Sequence, residues 1–437
     1  MDRLVQTLSD TWRGTRRILR GNVAVFAIIQ LLGNFGRRMA FPYLSLYILA
    51  LGGEPEQIGM VNSLAPLLGL VVFPLGGYLA DHVGRVKLVG ALMITAAGIE
   101  LLYVFAPTWQ WLLLGALLMG LGSMQFPASS ALIADSALPQ DRSRAIAIMS
   151  ALSALPAMAA PWLAGLAVDS IGVDPGVRYL YGFMAVANTI SGVIALRLLR
   201  ETKPPTGNRF RLSMLPRLLR DTYSEVPRLL GAMSSAVRAM LVITILGLAV
   251  NAIAGPFWVV YAVKELGLSA TEWGTILLAE TMVGTLVLIP AGVLGDRFGR
   301  SRCMVASIAM AMVALPLFLA ARGYVGVLMV RALIGVSNAL FIPSSIALLA
   351  DLVPRDMRGR VIAAIGQGGV LICASSGGTG GPALGYLVTL PLMAASLLSG
   401  YIYSAGPALP WLVSLGLMVA ALVLAIGWMR DAHQAEV

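Results

Sequence analysis

Long apolar runs alternate with short polar segments along most of this chain. Each run holds about 20 residues or more, which is enough for an α-helix to cross the hydrocarbon core of a bilayer. Within lipid, a helix satisfies its own backbone hydrogen bonds, so apolar runs of this length favour helices over open strands. The pattern predicts an all-α membrane protein with twelve transmembrane helices, at residues 22–50, 57–80, 87–106, 110–135, 143–168, 179–199, 238–263, 272–295, 302–321, 324–351, 360–388 and 407–429.

The two sets of six predicted helices repeat one another. Residues 77–87 join the second and third runs, and the same Gly-x-Leu-[Ala/Gly]-Asp-x-x-Gly-Arg-x-[Lys/Arg] pattern returns at residues 292–302, about half of the chain later. We call these two segments the signature loops. Weaker echoes pair Pro42 with Pro256, Pro127 with Pro343, and Asp135 with Asp351. A repeat of this length indicates two pseudo-symmetric six-helix bundles built from one duplicated unit.

Polar segments divide the chain into three predicted parts. These are an N-terminal bundle at residues 1–200, an amphipathic linker at 201–236 with a helix near Leu215 and Leu219, and a C-terminal bundle at 237–437. The first 21 residues are basic and amphipathic, and we expect them on the anionic inner leaflet. Residues 391–407 are predicted to form an outer loop whose structure the sequence leaves open.

Composition supports a membrane location. Hydrophobic residues make up 58% of the chain and charged residues only 12%, about half of the charged share of a soluble domain. The net charge of +10 is compatible with nucleic-acid binding, but 25 of the 31 lysines and arginines fall on one side of the predicted topology. Membrane proteins keep such bases on the cytoplasmic side. We therefore predict a monomer in the plasma (inner) membrane, with both termini cytoplasmic and no nucleic-acid partner.

Each residue type in the signature loops has a physical task. Glycines permit sharp turns and close helix contacts, and the aspartates and arginines can form ion pairs or face helix dipoles. The pattern resembles the signature loop of the major facilitator superfamily, which implies transport by alternating access with a cytoplasmic gate. A loop that only fixes the topology remains the alternative. The predicted gate comprises Gly77, Asp81, Arg85, Asp135, Arg142, Gly292, Asp296, Arg300, Asp351 and Arg358.

Charged residues inside a span are functional candidates because each costs about 2.5–3.5 kcal/mol to insert. Arg37 and Arg38 lie in the first span, on a polar arc about 100° wide that suits a central cavity. Alternatively, one of them holds a carboxylate for structural reasons. The predicted substrate cavity comprises Gln30, Asn34, Arg37, Arg38, Phe41, Gln125 and Asn251.

Proton coupling has three candidate residues. Glu280 lies about nine residues into the eighth span and is a candidate proton carrier. Arg331 in the tenth span is predicted to approach it in one state only, although a static ion pair is the alternative. Glu100 in the third span is the weaker candidate, since we expect it nearer the outer surface, where it can face water.

Several other kinds of site are not indicated. None of Lys87, Lys203 and Lys264 follows a glycine, so the chain has no P-loop. His82 and His433 have no ligand cluster beside them, so we predict no metal and no cofactor. No nucleophile and base occur together as in an enzyme. The glycine-rich stretch at residues 366–385 has the spacing of a helix contact.

The resemblance is strongest to the drug:proton antiporters of the superfamily. It implies a secondary transporter that exports amphipathic small molecules in exchange for protons across the lipid bilayer. The chain departs from that pattern in its fourth span, where Ala116 stands in the position of the antiporters' arginine, four residues before Gly120. Transport of an organic anion or an anionic lipid, motivated by Arg37 and Arg38, and a non-transporting receptor remain as alternatives.

Overall fold

The computed structural model describes residues 19–138, 140–204, 219–220, 223–224, 226–354, 357–366, 371–375 and 385–429. The regular elements in these ranges are helices. In chain order they are α1 (Asn22–Ala40), α2 (Leu44–Ala50), α3 (Pro55–Val83), α4 (Arg85–Val104), α5 (Trp109–Met119), α6 (Gln125–Ser136), α7 (Arg142–Ala157), α8 (Ala160–Ile171), α9 (Val173–Leu198), α10 (Val226–Ala232), α11 (Ser235–Ala254), α12 (Phe257–Lys264), α13 (Ala270–Phe298), α14 (Arg300–Ala320), α15 (Gly323–Leu352), α16 (Arg358–Ile365), α17 (Tyr386–Ala405) and α18 (Leu409–Trp428).

Eleven helical stretches in the described ranges are long and apolar enough to cross a membrane. Residues 22–50 are not among them, although α1 continues into α2 through a 3-10 turn at Phe41–Tyr43 and reaches a similar length. Its polar positions, which include Asn34, Arg37 and Arg38, interrupt the apolar sequence. The all-helical membrane fold is therefore confirmed, and the first predicted span is helical without meeting the composition of the other eleven.

The signature loops lie at one end of the molecule, which we call the signature end. Gly84 ends α3 with φ of 104°, and Gly299 ends α13 with φ of 98°, a backbone conformation that glycine adopts without strain. At the opposite end, which we call the far end, capping boxes at Glu54 and Ser269 start the same two helices. The two repeats thus begin and end their second helices in the same way.

The two halves contact each other near the far end. A Cβ atom added to Gly165 in α8 would lie 2.4 Å from the carbonyl oxygen of Ala270 in α13. A Cβ atom added to Gly59 in α3 would lie 2.6 Å from the carbonyl oxygen of Ser396 in α17. Glycine at both positions lets the backbones of opposite halves approach more closely than any side chain would permit.

The predicted eleventh span and outer loop are wrong. Helix α16 stops before Gly366, which has φ of 95°, and the membrane-length helix is α17, with a candidate span at Leu387–Ala405. The repeat explains the difference. Helices α7 and α16 begin 216 residues apart, α8 and α17 begin 226 residues apart, and α9 and α18 begin 236 residues apart, so the second half has 20 extra residues between the starts of α16 and α18, ten of them before α17. The glycine-rich stretch lies ahead of α17, and hydropathy does not distinguish this stretch from the apolar helix that follows it.

Four predictions lie outside the described residues. They concern the amphipathic N-terminal segment up to residue 18, the linker helix near Leu215, the glycine contact at residues 377–381, and His433. Helix α10 (Val226–Ala232) falls within the predicted linker at residues 201–236.

Candidate functional site

A buried ion pair joins α13 to α15. Arg331 donates from Nε and Nη2 to Oε2 of Glu280, at 2.9 and 2.6 Å. The Arg331 side chain is fully buried, and that of Glu280 is 15% exposed. Because a buried charge without a partner is costly, each of these groups stabilises the other. The sequence left this pairing open, and it is present in this conformation.

Glycines bring the two helices close enough for this pair to form. Gly335 lies one turn after Arg331, and a Cβ atom added to it would lie 2.6 Å from the Glu280 carbonyl oxygen. A Cβ atom added to Gly284, one turn after Glu280, would lie 3.2 Å from the Gly335 carbonyl oxygen. The helices therefore cross at these small residues, with the charged side chains directly beside the crossing.

The remaining faces of Arg331 are also occupied. Its guanidinium carbon lies 4.6 Å from the centre of the Trp258 ring and 5.9 Å from that of Trp273, a cation–π arrangement. Its Nη1 donates to the Cys373 carbonyl oxygen at 2.9 Å. Arg331 therefore contacts a carboxylate, two aromatic rings and a backbone carbonyl at once, and its position is closely defined.

Residues 371–375 form a non-helical segment beside Arg331. Asn338 holds Ile372 at both backbone groups, donating to its carbonyl oxygen at 3.0 Å and accepting from its amide at 2.7 Å. Such partners are needed where backbone outside a helix lies at membrane depth. Asn338 is not among the residues predicted from the sequence, although its position two turns after Arg331 places both on one face of α15.

Asn251 binds the same segment from α11. Its side chain accepts a hydrogen bond from the Ala374 amide at 2.9 Å and donates to the Leu371 carbonyl oxygen. Asn251 is predicted to line the substrate cavity, but in this conformation both the oxygen and the nitrogen of its side-chain amide bond to backbone groups. Asn251 and Asn338 thus hold part of the glycine-rich stretch beside the ion pair.

The polar arc of α1 connects to both halves of the molecule. Asn34 donates to the Ser153 hydroxyl at 3.0 Å and accepts from Arg37 Nη2 at 2.7 Å. Arg38 donates to the hydroxyl of Thr281 in the other half, at 3.5 Å. Both arginines are exposed although α1 is surrounded by other helices. Gln30, Phe41 and Gln125, which complete the predicted cavity, are half-buried.

Arg38 of the N-terminal half therefore places its positive charge at the edge of the ion pair in the C-terminal half. Thr281 is the residue after Glu280, and Arg38 is close enough to attract the Glu280 carboxylate. A layer with two arginines around one glutamate forms where the halves face each other. Such a layer can respond to a change in the charge of Glu280 or to an anion that binds Arg38.

Glu100 corrects one prediction, because it does not face water. Its side chain is buried, with 1% exposed, and its Oε1 accepts from the Asn188 amide at 2.5 Å. Its Oε2 has no hydrogen-bond partner among the described residues. Arg37 is close enough to interact with it electrostatically. The long apolar sequence of α4 gave no sign of Asn188, which packs against it from α9.

The signature loops form ion pairs within their own halves. Arg85 lies 2.5 Å from Asp135 and 3.9 Å from Asp81. Arg300 pairs with Asp351 and lies 3.8 Å from Asp296. The two loops therefore have equivalent pairs, as their repeated sequence predicts.

Other predicted gate residues differ in their surroundings. Arg358 donates to the Ala350 carbonyl oxygen at 2.6 Å, and Arg142 acts electrostatically on Asp135. A Cβ atom added to Gly77 or Gly292 would meet nothing within 4 Å, so close approach is not their role in this conformation.

At the far end, polar groups reinforce the contact between the halves. The Tyr43 hydroxyl lies 2.8 Å from the Pro161 carbonyl oxygen and 3.0 Å from the Ala270 carbonyl oxygen of the other half. The Asp169 carboxylate of α8 accepts from the amides of Ala270 and Thr271, at 3.0 and 2.8 Å. It thereby caps the N-terminus of α13, where a negative charge is favoured.

Comparison with known proteins gives consistent matches. The family model described as the Major Facilitator Superfamily matches residues 26–250 and 239–436. The multi-drug resistance efflux pump PmrA homolog of Lactococcus lactis is 27% identical over 379 residues, which cover 83% of this chain and 84% of that relative. The multidrug resistance protein MdtG of Citrobacter koseri is 32% identical over 338 residues, which cover 74% of this chain and 78% of that relative.

A solved structure has the same fold. A variant of the nucleoside transporter NupG superposes with a TM-score of 0.71 and 16% identity, covering 93% of this chain and 100% of that one. At this identity the likeness concerns the arrangement of helices alone.

Proposed function

Because this chain belongs to the Major Facilitator Superfamily, we propose that it exports amphipathic small molecules by alternating access, in exchange for protons. The chain is a multi-pass membrane transporter and not an enzyme. Export is supported by the relatives, which carry the names of multidrug efflux pumps. The observation that carries proton coupling is the buried Glu280–Arg331 pair, with Arg38 of the other half beside it.

The proposed orientation places the signature end in the cytoplasm. Most of the basic residues then lie on the cytoplasmic side, as the positive-inside rule requires. The halves contact each other at the far end through Tyr43 and Asp169, so this conformation is closed toward the outside. A solute would therefore enter from the cytoplasm or the inner leaflet.

Proton coupling follows from the charge balance around Glu280. When the Glu280 carboxylate is ionised, it balances the positive charge of Arg331, and the α13–α15 crossing is stable. A proton arriving from outside neutralises Glu280 and leaves Arg331 as a buried cation without an ionic partner, which is unfavourable. In the cytoplasm-facing state, the positive charges of Arg331 and Arg38 favour loss of that proton. The pair thereby links protonation to conformation.

Transport of an organic anion or anionic lipid is the second candidate. It is favoured by Arg37 and Arg38, whose exposed guanidinium groups lie where the halves face each other. Charged groups in such a place attract a solute of opposite sign. Under this second candidate, the polar head of the transported amphipathic solute is anionic rather than cationic.

Flux into proteoliposomes tests the proposal. We expect a pH gradient to drive accumulation of ethidium, a cationic amphiphile, or of 8-anilinonaphthalene-1-sulfonate, an anionic one. Glu280→Gln should abolish this accumulation and preserve downhill exchange, because the amide keeps the shape of the side chain and neither takes up nor releases a proton. Glu265→Gln, at an exposed position, is the matched control.

Each outcome separates the alternatives. Accumulation of the anion alone supports the second candidate. Uphill transport that persists in Glu280→Gln excludes Glu280 as the proton carrier, and the lack of any flux with either probe rejects the proposed amphipathic solutes of both charges.

A further inference from the structure

Helix α3 contains a backbone carbonyl that its own helix leaves without a partner. Pro74 lies inside α3 and has no N–H, so the Leu70 carbonyl oxygen, four residues earlier, lacks its usual helical donor. Leu70 lies 13 residues before the end of α3 at Val83, which corresponds to about 20 Å along the helix. A strong hydrogen-bond acceptor is therefore available near the middle of the membrane.

A residue of the linker between the halves takes up this acceptor. The Tyr223 hydroxyl donates to the Leu70 carbonyl oxygen at 2.7 Å. Further along the linker, Leu229 and Met233 are buried in the main hydrophobic cluster. The sequence predicted a linker along the inner surface, but this contact brings one of its aromatic side chains to mid-membrane depth.

The contact lies on a face of α3 that is otherwise partly open. Leu67, Leu70, Val71 and Pro74 share one face at 100° per residue, and Leu67 and Val71 are exposed by 42% and 39%. Gly59 lies within about 20° of Leu70 around the helix axis, nearer the far end, where α17 covers it. The Leu70 side of this face is therefore directed toward the other half, whereas Leu67 and Val71 lie about 80° and 120° around the helix from Gly59 and are left exposed.

We propose that this face of α3 is a binding site for an aromatic amphiphile that carries a hydroxyl or N–H donor, with the Leu70 carbonyl oxygen as its acceptor. Tyr223 occupies the site when no solute is bound, since it presents the same combination of a flat apolar ring and one donor. The inference rests on the proposed function, because it names the chemistry of the exported solute. Tyr223 is then an internal competitor that the solute must displace.

Two matched probes test the acceptor. 2-Naphthol carries the donor, and 2-methoxynaphthalene has the same rings without it. We measure the affinity of each for the purified full chain in nanodiscs by the probe's own fluorescence. The wild type should prefer 2-naphthol by about three- to tenfold, which is the effect of one net hydrogen bond.

Three variants separate the acceptor from its competitor. Tyr223→Phe should bind both probes about threefold or more tightly and keep the preference, because the competitor loses its hydrogen bond. Pro74→Ala restores the N–H that bonds the Leu70 carbonyl oxygen, so the preference for 2-naphthol should disappear. Pro66→Ala, two turns earlier in the same helix, is the matched control and should keep it.

A preference that persists in Pro74→Ala overturns the proposal, as does Tyr223→Phe with unchanged affinities. Should Pro74→Ala fail to fold, Val71→Trp decides, because a bulky side chain on the open face must weaken both probes. Unchanged affinities in that variant also overturn the site. If these binding tests fail while ethidium export continues, only this site is rejected. If ethidium export is absent as well, the proposed function is also rejected.

Discussion

At the scale of single residues, three arginines inside membrane helices have different environments. Arg331 is fully buried against Glu280, Trp258 and Trp273, whereas Arg37 and Arg38 are exposed. The sequence showed only that each lies within an apolar run. Because the tertiary contacts differ, the cost of removing each charge differs as well.

We expect Arg331→Gln to destabilise the protein strongly, by about 3–5 kcal/mol, because Glu280 is left as a buried charge without its partner. Combining it with Glu280→Gln should recover most of the loss, since two neutral amides can bond each other. Thermal unfolding in detergent measures both. If the double variant melts no higher than Arg331→Gln, the unpaired carboxylate is not the cause.

We expect Arg38→Gln to cost little stability, at most about 1 kcal/mol, because its side chain is exposed. It should nevertheless lower the transport of an anionic amphiphile more than that of a cationic one. Initial rates with 8-anilinonaphthalene-1-sulfonate and ethidium provide the comparison. Equal losses for both probes would assign Arg38 a structural role.

At the scale of elements, a glycine supports a close helix crossing only where another helix packs against it. A Cβ atom on Gly335 would clash with the Glu280 carbonyl oxygen at 2.6 Å, whereas one on Gly247 in α11 would meet nothing within 4 Å. Both glycines lie in apolar helices, so the sequence gives them the same appearance. Their difference arises from the neighbour that each helix meets.

Gly335→Ala should therefore destabilise the protein by about 1–3 kcal/mol through overpacking at the α13–α15 crossing. Gly247→Ala should instead raise stability by up to about 1 kcal/mol, because alanine favours helix and the space is free. Melting temperatures of the two variants decide this. A loss of similar size in both would remove the special role of the crossing.

At the scale of the whole molecule, the two halves contact through the far end. Asp169 of one half caps α13 of the other, and Tyr43 bridges the same region. These contacts are lost when the far end opens, so they favour the conformation described above. A cap of this kind contributes about 0.5–2 kcal/mol, enough to change a two-state ratio several-fold.

Asp169→Ala should shift the population toward a conformation open at the far end. Spin labels at Phe105 and Val325, both exposed there in opposite halves, should report longer distances, while labels at Val83 and Phe298 report shorter ones at the signature end. Asp174→Ala is the control, because Asp174 pairs with Arg178 in its own helix. Unchanged distributions in Asp169→Ala would show that the cap does not bias the equilibrium.

The sequence alone determined the membrane location, the helical class and the duplicated arrangement. Each of these depends on local properties: the length of an apolar run, the repeat of a loop, and glycines such as Gly84 and Gly299 that end a helix. Local signals of this kind are present in the order of residues. They do not depend on which helices become neighbours.

Tertiary structure decided where the eleventh span lies and which charges meet. Hydropathy cannot choose between the glycine-rich stretch and α17, since both are apolar, and the choice depends on Gly59 receiving the backbone of α17. Likewise Glu280 and Arg331 are 51 residues apart in sequence, and the burial of Glu100 depends on Asn188 from another helix. Such contacts arise only when helices pack, because the energy of a buried charge is set by its partner and not by its own neighbours along the chain.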